Sequence, residues 1–134
     1  MAVAQTKAAH AMQENPGDLT SHQVISLLMA GALERVGQAR NAINAKNTED
    51  KEILFAKIVA IINGLRASLN LEQGGEIAEN LQALYNYMIT RFDDIASDEE
   101  LAVLDETERL ITEVKSGWDE MDLSAVAQQQ QLAG

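Results

Sequence analysis

Few side chains in this sequence have the type and spacing that catalysis or metal binding requires. The two histidines are His10 and His22, and neither follows a glutamate by three residues in a long helix, as the metal ligands of di-iron bundles do. Cysteine is absent, which excludes thiolate nucleophiles, disulfides and zinc fingers. Gly74-Gly75 lacks the Lys-Ser/Thr of a phosphate loop. We therefore expect a protein that is not an enzyme and has no metal or cofactor.

The charge is strongly acidic and unevenly distributed. The net charge is −11 over 134 residues, so nucleic acid is not expected as a partner, because phosphate binding needs a basic face. Residues 1–71 carry a net charge of +1 and residues 72–134 a net charge of −12. This asymmetry favours a solvated acidic surface, with attraction of a basic partner as the alternative.

No segment is expected to enter a membrane. The most apolar run, Ile53 to Ile62, contains Lys57 and is far shorter than the roughly 20 residues of a membrane span. The N-terminal alanines are interrupted by charged residues such as Lys7 and Glu14, unlike the apolar core of a signal peptide. We expect a soluble, cytoplasmic protein.

Helix-start signals and apolar periodicity predict four long helices. Thr20 to Gln23 fits a capping box that opens the first helix, and Asn47 or Thr48 caps the second. The second helix is expected to run to about Leu71, and the third from Gly75 to Ala96, with the Gly74-Gly75 pair as the hinge between them. A second capping box, Ser97 to Glu100, opens the fourth helix.

Short connections between helices of this length predict an all-α fold, an antiparallel up-and-down four-helix bundle preceded by a short helical or extended N-terminal segment. The predicted division is residues 1–19 as an N-terminal lid, 20–121 as the bundle, and 122–134 as a polar, disordered tail.

The second and third helices carry more apolar residues than one inward stripe needs. On the second helix the expected inward stripe is Leu54, Ile58, Ile61 and Leu65, and on the third it is Ile77, Leu81, Leu84, Met88 and Ile95. A neighbouring stripe is offset by one residue, about 100° around each helix. It either widens the buried arc or floors a groove for a partner helix. The predicted groove residues are Phe55, Val59, Ile62, Leu69, Leu81, Tyr85, Ile89 and Phe92.

An empty apolar groove would favour aggregation of the free protein. The alanine-rich N-terminal segment is long enough to cover it and is followed by the helix-breaking Pro16-Gly17. We therefore predict a displaceable lid that includes Ala9, His10 and Met12.

With these residues assembled, the chain resembles the FliS family of flagellin-specific export chaperones over about residues 20–120. The strongest matches are the LEQGGEIAENL run at 71–81, LYNYMITR at 84–91 and Gly-Trp at 117–118. The IINGLR run at 61–66 and the first-helix run at 21–33 also fit.

The resemblance implies a cytoplasmic chaperone that binds the disordered C-terminal segment of flagellin. Such a chaperone blocks premature filament polymerisation and delivers the subunit to the flagellar type III export gate. The family fold is an antiparallel four-helix bundle whose N-terminal segment occupies part of the groove when free. This chain departs from the family pattern at Thr20-Ser21-His22, where Ser-Pro-His is usual, and it lacks the N-terminal tyrosine implicated in contact with the export gate.

Two other functions remain open from the sequence. The second stripe could pair with its own copy, which would make the chain a homodimer or a helical adaptor without flagellin specificity. A carboxylate-rich metal bundle is a more distant alternative.

Overall fold

The computed structural model describes residues 20–133, with side chains described through 121, and its only regular structure in this range is helical. The helices are α1 (Ser21–Asn44), α2 (Thr48–Ala67), α3 (Leu71–Asp93) and α4 (Glu100–Ala133). A single 3-10 turn, Ser97–Glu99, precedes α4. The predicted lid residues Ala9, His10 and Met12 lie outside the described residues.

Side-chain caps set the start of the first three helices. Thr20 and Gln23 form the predicted capping box: the Gln23 N–H donates to the Thr20 hydroxyl at 3.0 Å, and the Thr20 N–H donates to the Gln23 amide oxygen at 2.9 Å. Asn47 caps α2 and Asn70 caps α3 in the same way, each accepting from the backbone N–H three residues later. These polar side chains satisfy N–H groups that have no partner inside the helix.

The predicted capping box at Ser97 is wrong. Ser97 begins the 3-10 turn, no side chain caps that turn, and α4 starts only at Glu100. The Glu99 N–H instead donates to the Ala96 carbonyl at 2.9 Å. The backbone therefore forms its own turn at this corner before α4 begins.

The helices pack as an antiparallel bundle, which confirms the predicted fold class. α1 packs against α2 on one side and α4 on the other, α2 also packs against α3, and α3 and α4 approach each other least. The core is apolar and draws on all four helices, for example Val36, Ile58, Met88 and Leu104. The weaker α3–α4 contact leaves this side of the bundle less closed than the others.

The expected division of the apolar stripes is partly wrong. On α2 the buried residues are Ile58, Ile62 and Leu65, so Ile62 belongs to the inward stripe. On α3 the buried residues are Ala78, Tyr85, Met88 and Phe92. Two neighbouring stripes have the same spacing, so periodicity alone could not decide which one faces the core.

Polar contacts tie α4 to the rest of the bundle. Lys51 of α2 contacts Glu100 of α4 at 2.8 Å, with side chains only 17% and 13% exposed. Glu106 accepts from the Tyr87 hydroxyl at 2.7 Å and from Arg91 at 3.0 Å. The Tyr87 hydrogen bond, and then the Arg91 guanidinium, lower the pKa of Glu106.

Between residues 20 and 133, none of the helices has the length and apolar character needed to cross a membrane. The same stretch contains no cluster of His, Asp or Glu side chains arranged to hold a metal ion. Its backbone continues α4 through the predicted tail to Ala133, and the assignment of 122–134 as a separate unit stays a prediction.

Candidate functional site: an end cleft and a lateral trough

A cleft of about 780 Å³, here called the end cleft, opens at the end of the bundle where α1 begins and α3 starts. Its walls are the first turn of α1, the α2–α3 connection with the first half of α3, and the last described side chains of α4. The lining is mainly apolar and includes Val24, Ile25, Leu69, Ile77, Leu81, Tyr85, Trp118 and Met121.

Large apolar side chains stand partly exposed in all three walls. Val24 is 41% exposed, Ile77 is 56% exposed and Met121 is 46% exposed. Exposed apolar residues are ordinary when scattered singly, whereas several that line one concave surface are typical of a binding site. The end cleft is therefore the strongest candidate site in the described part of the chain.

Aromatic stacking and a hydrogen bond hold the α1 wall against the α4 wall. The rings of His22 and Trp118 stack with their centroids 4.3 Å apart and their planes 7° from parallel. The Trp118 indole N–H also donates to the backbone carbonyl of His22 at 2.9 Å. Trp118 therefore has two roles. Its contacts with His22 join α4 to α1, and its side chain also lines the end cleft.

A second contact between the same helices lies next to this pair. Asp119 accepts from Lys115 at 2.9 Å and from the Ser26 hydroxyl at 2.7 Å. The Lys115 ammonium, and then the Ser26 hydroxyl, lower the pKa of Asp119. These bonds keep the carboxylate charged and the α4 wall in place.

The third wall takes its shape from the glycine pair. The chain reverses at residues 68–70 rather than at the glycines, so the predicted hinge is displaced by about one helical turn. Gly75 has φ 57° and ψ −134° and kinks α3 one turn after its start, and only glycine adopts this conformation readily. A Cβ added to Gly74 would lie 2.6 Å from the Ala78 Cβ. Gly74 therefore permits a close approach, and Gly75 permits the kink.

A shallower depression of about 410 Å³, here called the lateral trough, lies on the outer side of α2 and α3. It is lined by Phe55, Ala56, Val59, Ala60, Asn63, Phe92 and Asp93. The Phe55 and Phe92 rings meet edge to face with centroids 5.3 Å apart, so the two helices are joined by an aromatic pair at one end of the trough.

The predicted groove residues divide between these two surfaces. Leu69, Leu81 and Tyr85 line the end cleft, and Phe55, Val59 and Phe92 line the lateral trough. Ile62 and Ile89 line neither. Ile62 is 0% exposed in the core, which corrects its placement on the groove floor, and Ile89 packs half-buried against the core. A partner-binding role for the remaining residues stays a prediction.

Sequence reasoning missed several residues that line the end cleft. Ile77 was assigned to the inward stripe of the third helix, and Val24, Trp118 and Met121 were not among the predicted groove residues. The available signal was the glycine pair: a kink one turn into α3 interrupts that helix's packing and leaves the following isoleucine partly uncovered. Burial also raises the pKa of Tyr85 to about 12, which agrees with its position beneath the cleft in the core.

Comparison with known proteins decides the family. The sequence model described as "Flagellar protein FliS" matches residues 3–125. The chain belongs to the FliS family. The matched range contains every residue that lines the end cleft or the lateral trough, and it confirms the resemblance seen in the sequence motifs.

Curated FliS proteins from three bacteria show the extent of the similarity. The flagellar secretion chaperone FliSB of Pseudomonas aeruginosa is 47% identical over 102 residues, which cover 76% of this chain and 81% of the relative. The flagellar secretion chaperone FliS of Vibrio cholerae is 36% identical over 100 residues, covering 75% of this chain and 74% of the relative. That of Salmonella typhimurium is 34% identical over 109 residues, 81% of each chain.

Proposed function

We propose that this FliS-family protein is a flagellar secretion chaperone that binds the disordered C-terminal segment of flagellin. By covering this segment it prevents premature polymerisation in the cytoplasm and aids delivery to the flagellar type III export apparatus. The observation that carries the proposal is an apolar end cleft in a member of a family whose relatives are named flagellar secretion chaperones.

The energetics favour an extended binding surface over a single pocket. Full burial of a large apolar side chain contributes about 1.5–3 kcal/mol. Val24, Ile77 and Met121 are already about half-buried, so covering all three would contribute roughly 2–5 kcal/mol by the same measure. Ordering a disordered segment costs about 2–5 kcal/mol or more. The end cleft alone would only offset this cost, and the partner therefore reaches further apolar surface, including the lateral trough.

The N-terminal segment would act as the lid predicted from the sequence. Thr20 caps α1, and Ser21 and His22 line the end cleft, so the described part of the chain begins at the mouth of the cleft. Eight residues separate Met12 from Thr20, and an extended chain of that length spans up to about 26–29 Å. Ala9, His10 and Met12 can therefore reach over the cleft, and flagellin would displace them.

Calorimetry with a flagellin C-terminal peptide tests the proposal. Ile77→Asp places a charge on the cleft wall and should weaken binding about tenfold or more, because the docked partner would bury that charge. Ile53→Asp is the matched control: Ile53 is 49% exposed on α2 and lies in neither the end cleft nor the lateral trough. Equal affinities for wild type and Ile77→Asp would reject the cleft as the binding site.

Failure of the wild-type protein to bind any flagellin C-terminal peptide would reject the proposed function itself. Sedimentation of the same sample then becomes informative. A stable dimer that does not respond to flagellin would favour the homodimer or adaptor function. If the wild-type protein does bind the peptide, a monomer that forms a 1:1 complex supports the chaperone.

A further inference from the structure

The sulfur-containing side chains divide clearly by solvent exposure. The sequence has five methionines and no cysteine. Met29 and Met88 lie in the core and are each 1% exposed, whereas Met121 is 46% exposed. Met1 and Met12 lie outside the described residues. Between residues 20 and 121, Met121 is therefore the one sulfur that a dissolved reagent can reach.

Met121 lies in the α4 wall of the end cleft, about one helical turn beyond Trp118. Trp118 and Asp119 hold this wall against α1 through their hydrogen bonds. Met121 itself belongs neither to the apolar core nor to the partly buried residues packed against it. A chemical change at its sulfur should therefore alter the lining of the cleft and leave the bundle intact.

We propose that Met121 is a reversible oxidation site, at which hydrogen peroxide converts the thioether to a sulfoxide and thereby lowers the affinity of the end cleft for its apolar partner segment. The site makes partner binding sensitive to oxidative conditions. This inference rests on the proposed function, because it takes the end cleft to be a surface that a flagellin segment covers.

The reaction transfers one oxygen atom. A lone pair of the Met121 sulfur attacks one oxygen of hydrogen peroxide, and the S–O bond forms as the O–O bond breaks. A proton moves from the attacked oxygen to the departing one, which leaves as water. The sulfur loses two electrons and the peroxide gains them. Methionine sulfoxide reductases reverse the change: two thiols supply the two electrons, and the products are the thioether, a disulfide and water.

The sulfoxide changes the chemical character of the cleft wall. A thioether is apolar and polarizable, whereas a sulfoxide is a polar group. The end cleft is lined mainly by apolar residues, among them Val24, Ile77 and Leu81. A partner that covers Met121 removes the sulfoxide oxygen from water, and burial of a polar group without a hydrogen bond is unfavourable. We expect partner binding to weaken about five- to tenfold.

Mass spectrometry of proteolytic peptides tests the selectivity of oxidation. The full-length protein is treated with limiting hydrogen peroxide, catalase ends the reaction, and each methionine-containing peptide is quantified. In the folded protein Met121 should be oxidised about tenfold faster than Met29 and Met88 or more, since susceptibility follows exposure. In urea the three rates should become similar. Equal rates in the folded protein would overturn Met121 as the reactive site.

Calorimetry with a flagellin C-terminal peptide tests the effect on binding. The readout in each protein is the ratio of the Kd after peroxide treatment to the Kd before it. This ratio should be about five to ten in wild type and about one in Met121→Leu, which has no thioether at this position. Reductase treatment should restore the original Kd of the oxidised wild type.

Met29→Leu is the matched control, because it makes the same substitution at a buried methionine. Its Kd ratio should equal that of wild type. A Met121→Leu protein whose ratio also equals that of wild type would assign the effect to another methionine and overturn the proposal.

Urea unfolding followed by circular dichroism separates a change in the cleft from damage to the fold. Oxidised and untreated wild type should have the same midpoint, since Met121 lies outside the core. A lower midpoint after oxidation would attribute the weaker binding to partial loss of the fold and would overturn the role of the sulfoxide in the cleft.

These outcomes are distinguishable from failure of the proposed function. A wild-type protein that binds no flagellin peptide before peroxide treatment rejects the chaperone function, and with it the effect assigned to the sulfoxide. A wild-type protein that binds equally well before and after treatment retains the chaperone function and loses only the role of Met121.

Discussion

Replacement of Gly75 by alanine tests the account of the kink in α3. Gly75 has φ 57° and ψ −134°, a conformation in which a Cβ is strained although no neighbouring atom lies within 4 Å of it. The penalty therefore comes from the backbone and not from a clash. Gly64→Ala is the matched control, because Gly64 lies in the helical part of α2 with open space around its Cβ.

The two substitutions should change stability in opposite directions. A non-glycine residue in a sparsely populated backbone region costs about 1–3 kcal/mol, and the reduced entropy of the unfolded chain offsets about 0.4–1 kcal/mol of this. Gly75→Ala should therefore lower the free energy of unfolding by about 1–2 kcal/mol. Gly64→Ala should raise it by about 0.5–1 kcal/mol, because alanine is the better helix former.

Urea unfolding followed by circular dichroism measures both values in one experiment, with the midpoint as the readout at constant slope. The same glycine-to-alanine change is made in each protein, so composition and unfolded-state effects are matched. A Gly75→Ala protein as stable as wild type would refute the strained kink, and with it the account of how the α3 wall of the end cleft is shaped.

Two further predictions concern buried side chains. Ile62→Asp should abolish the cooperative fold seen by circular dichroism, because Ile62 is 0% exposed and an unpaired buried charge costs more than about 4 kcal/mol of a typical 5–15 kcal/mol stability. The pH dependence should reflect Tyr85, whose pKa burial raises to about 12. The pKa of Tyr85 in the folded state lies above its unfolded value of 10, so the folded state favours the protonated phenol. The free energy of unfolding should therefore be unaffected below pH 10 and should fall as the pH rises towards 12, by about 2–3 kcal/mol in all.

Matched variants make these two predictions refutable. A folded Ile62→Asp protein that still unfolds cooperatively would contradict the burial of Ile62, and Ile77→Asp should remain folded in the same assay. Urea midpoints at pH 9 and pH 11 should differ less in Tyr85→Phe than in wild type, since phenylalanine does not ionise. An unchanged difference would exclude Tyr85 as the source.

Local signals in the sequence were sufficient where a helix start depends on a few adjacent residues. The Thr20–Gln23 capping box was predicted and is present. For α2 either Asn47 or Thr48 was predicted as the cap, and Asn47 is the one that accepts the hydrogen bond. The same reasoning was wrong at Ser97, where the chain makes a 3-10 turn first. A capping motif shows only that a serine hydroxyl could accept a hydrogen bond from a backbone N–H at the helix start. The conformation of the preceding turn decides whether that bond forms.

Which residues form the end cleft and the lateral trough could not be predicted from local sequence patterns alone. Tyr85 and Ile77 lie on neighbouring apolar stripes of α3 with equivalent helical spacing, yet one is 2% exposed and the other 56% exposed. This difference in exposure follows from how α3 is rotated about its axis relative to α2 and α4. That rotation cannot be predicted from the sequence of α3 alone. For the same reason one predicted groove became two surfaces, the end cleft and the lateral trough.

The sequence by itself therefore determined the helical class, the first helix caps, the lack of cysteine chemistry and the family, because each rests on composition or on residues adjacent in the chain. Only the tertiary structure decided which apolar stripe faces the core, that Met121 is exposed while Met29 and Met88 are buried, and that the walls of the end cleft come from three separate parts of the chain. These properties depend on the relative rotation and separation of helices, which long-range packing sets.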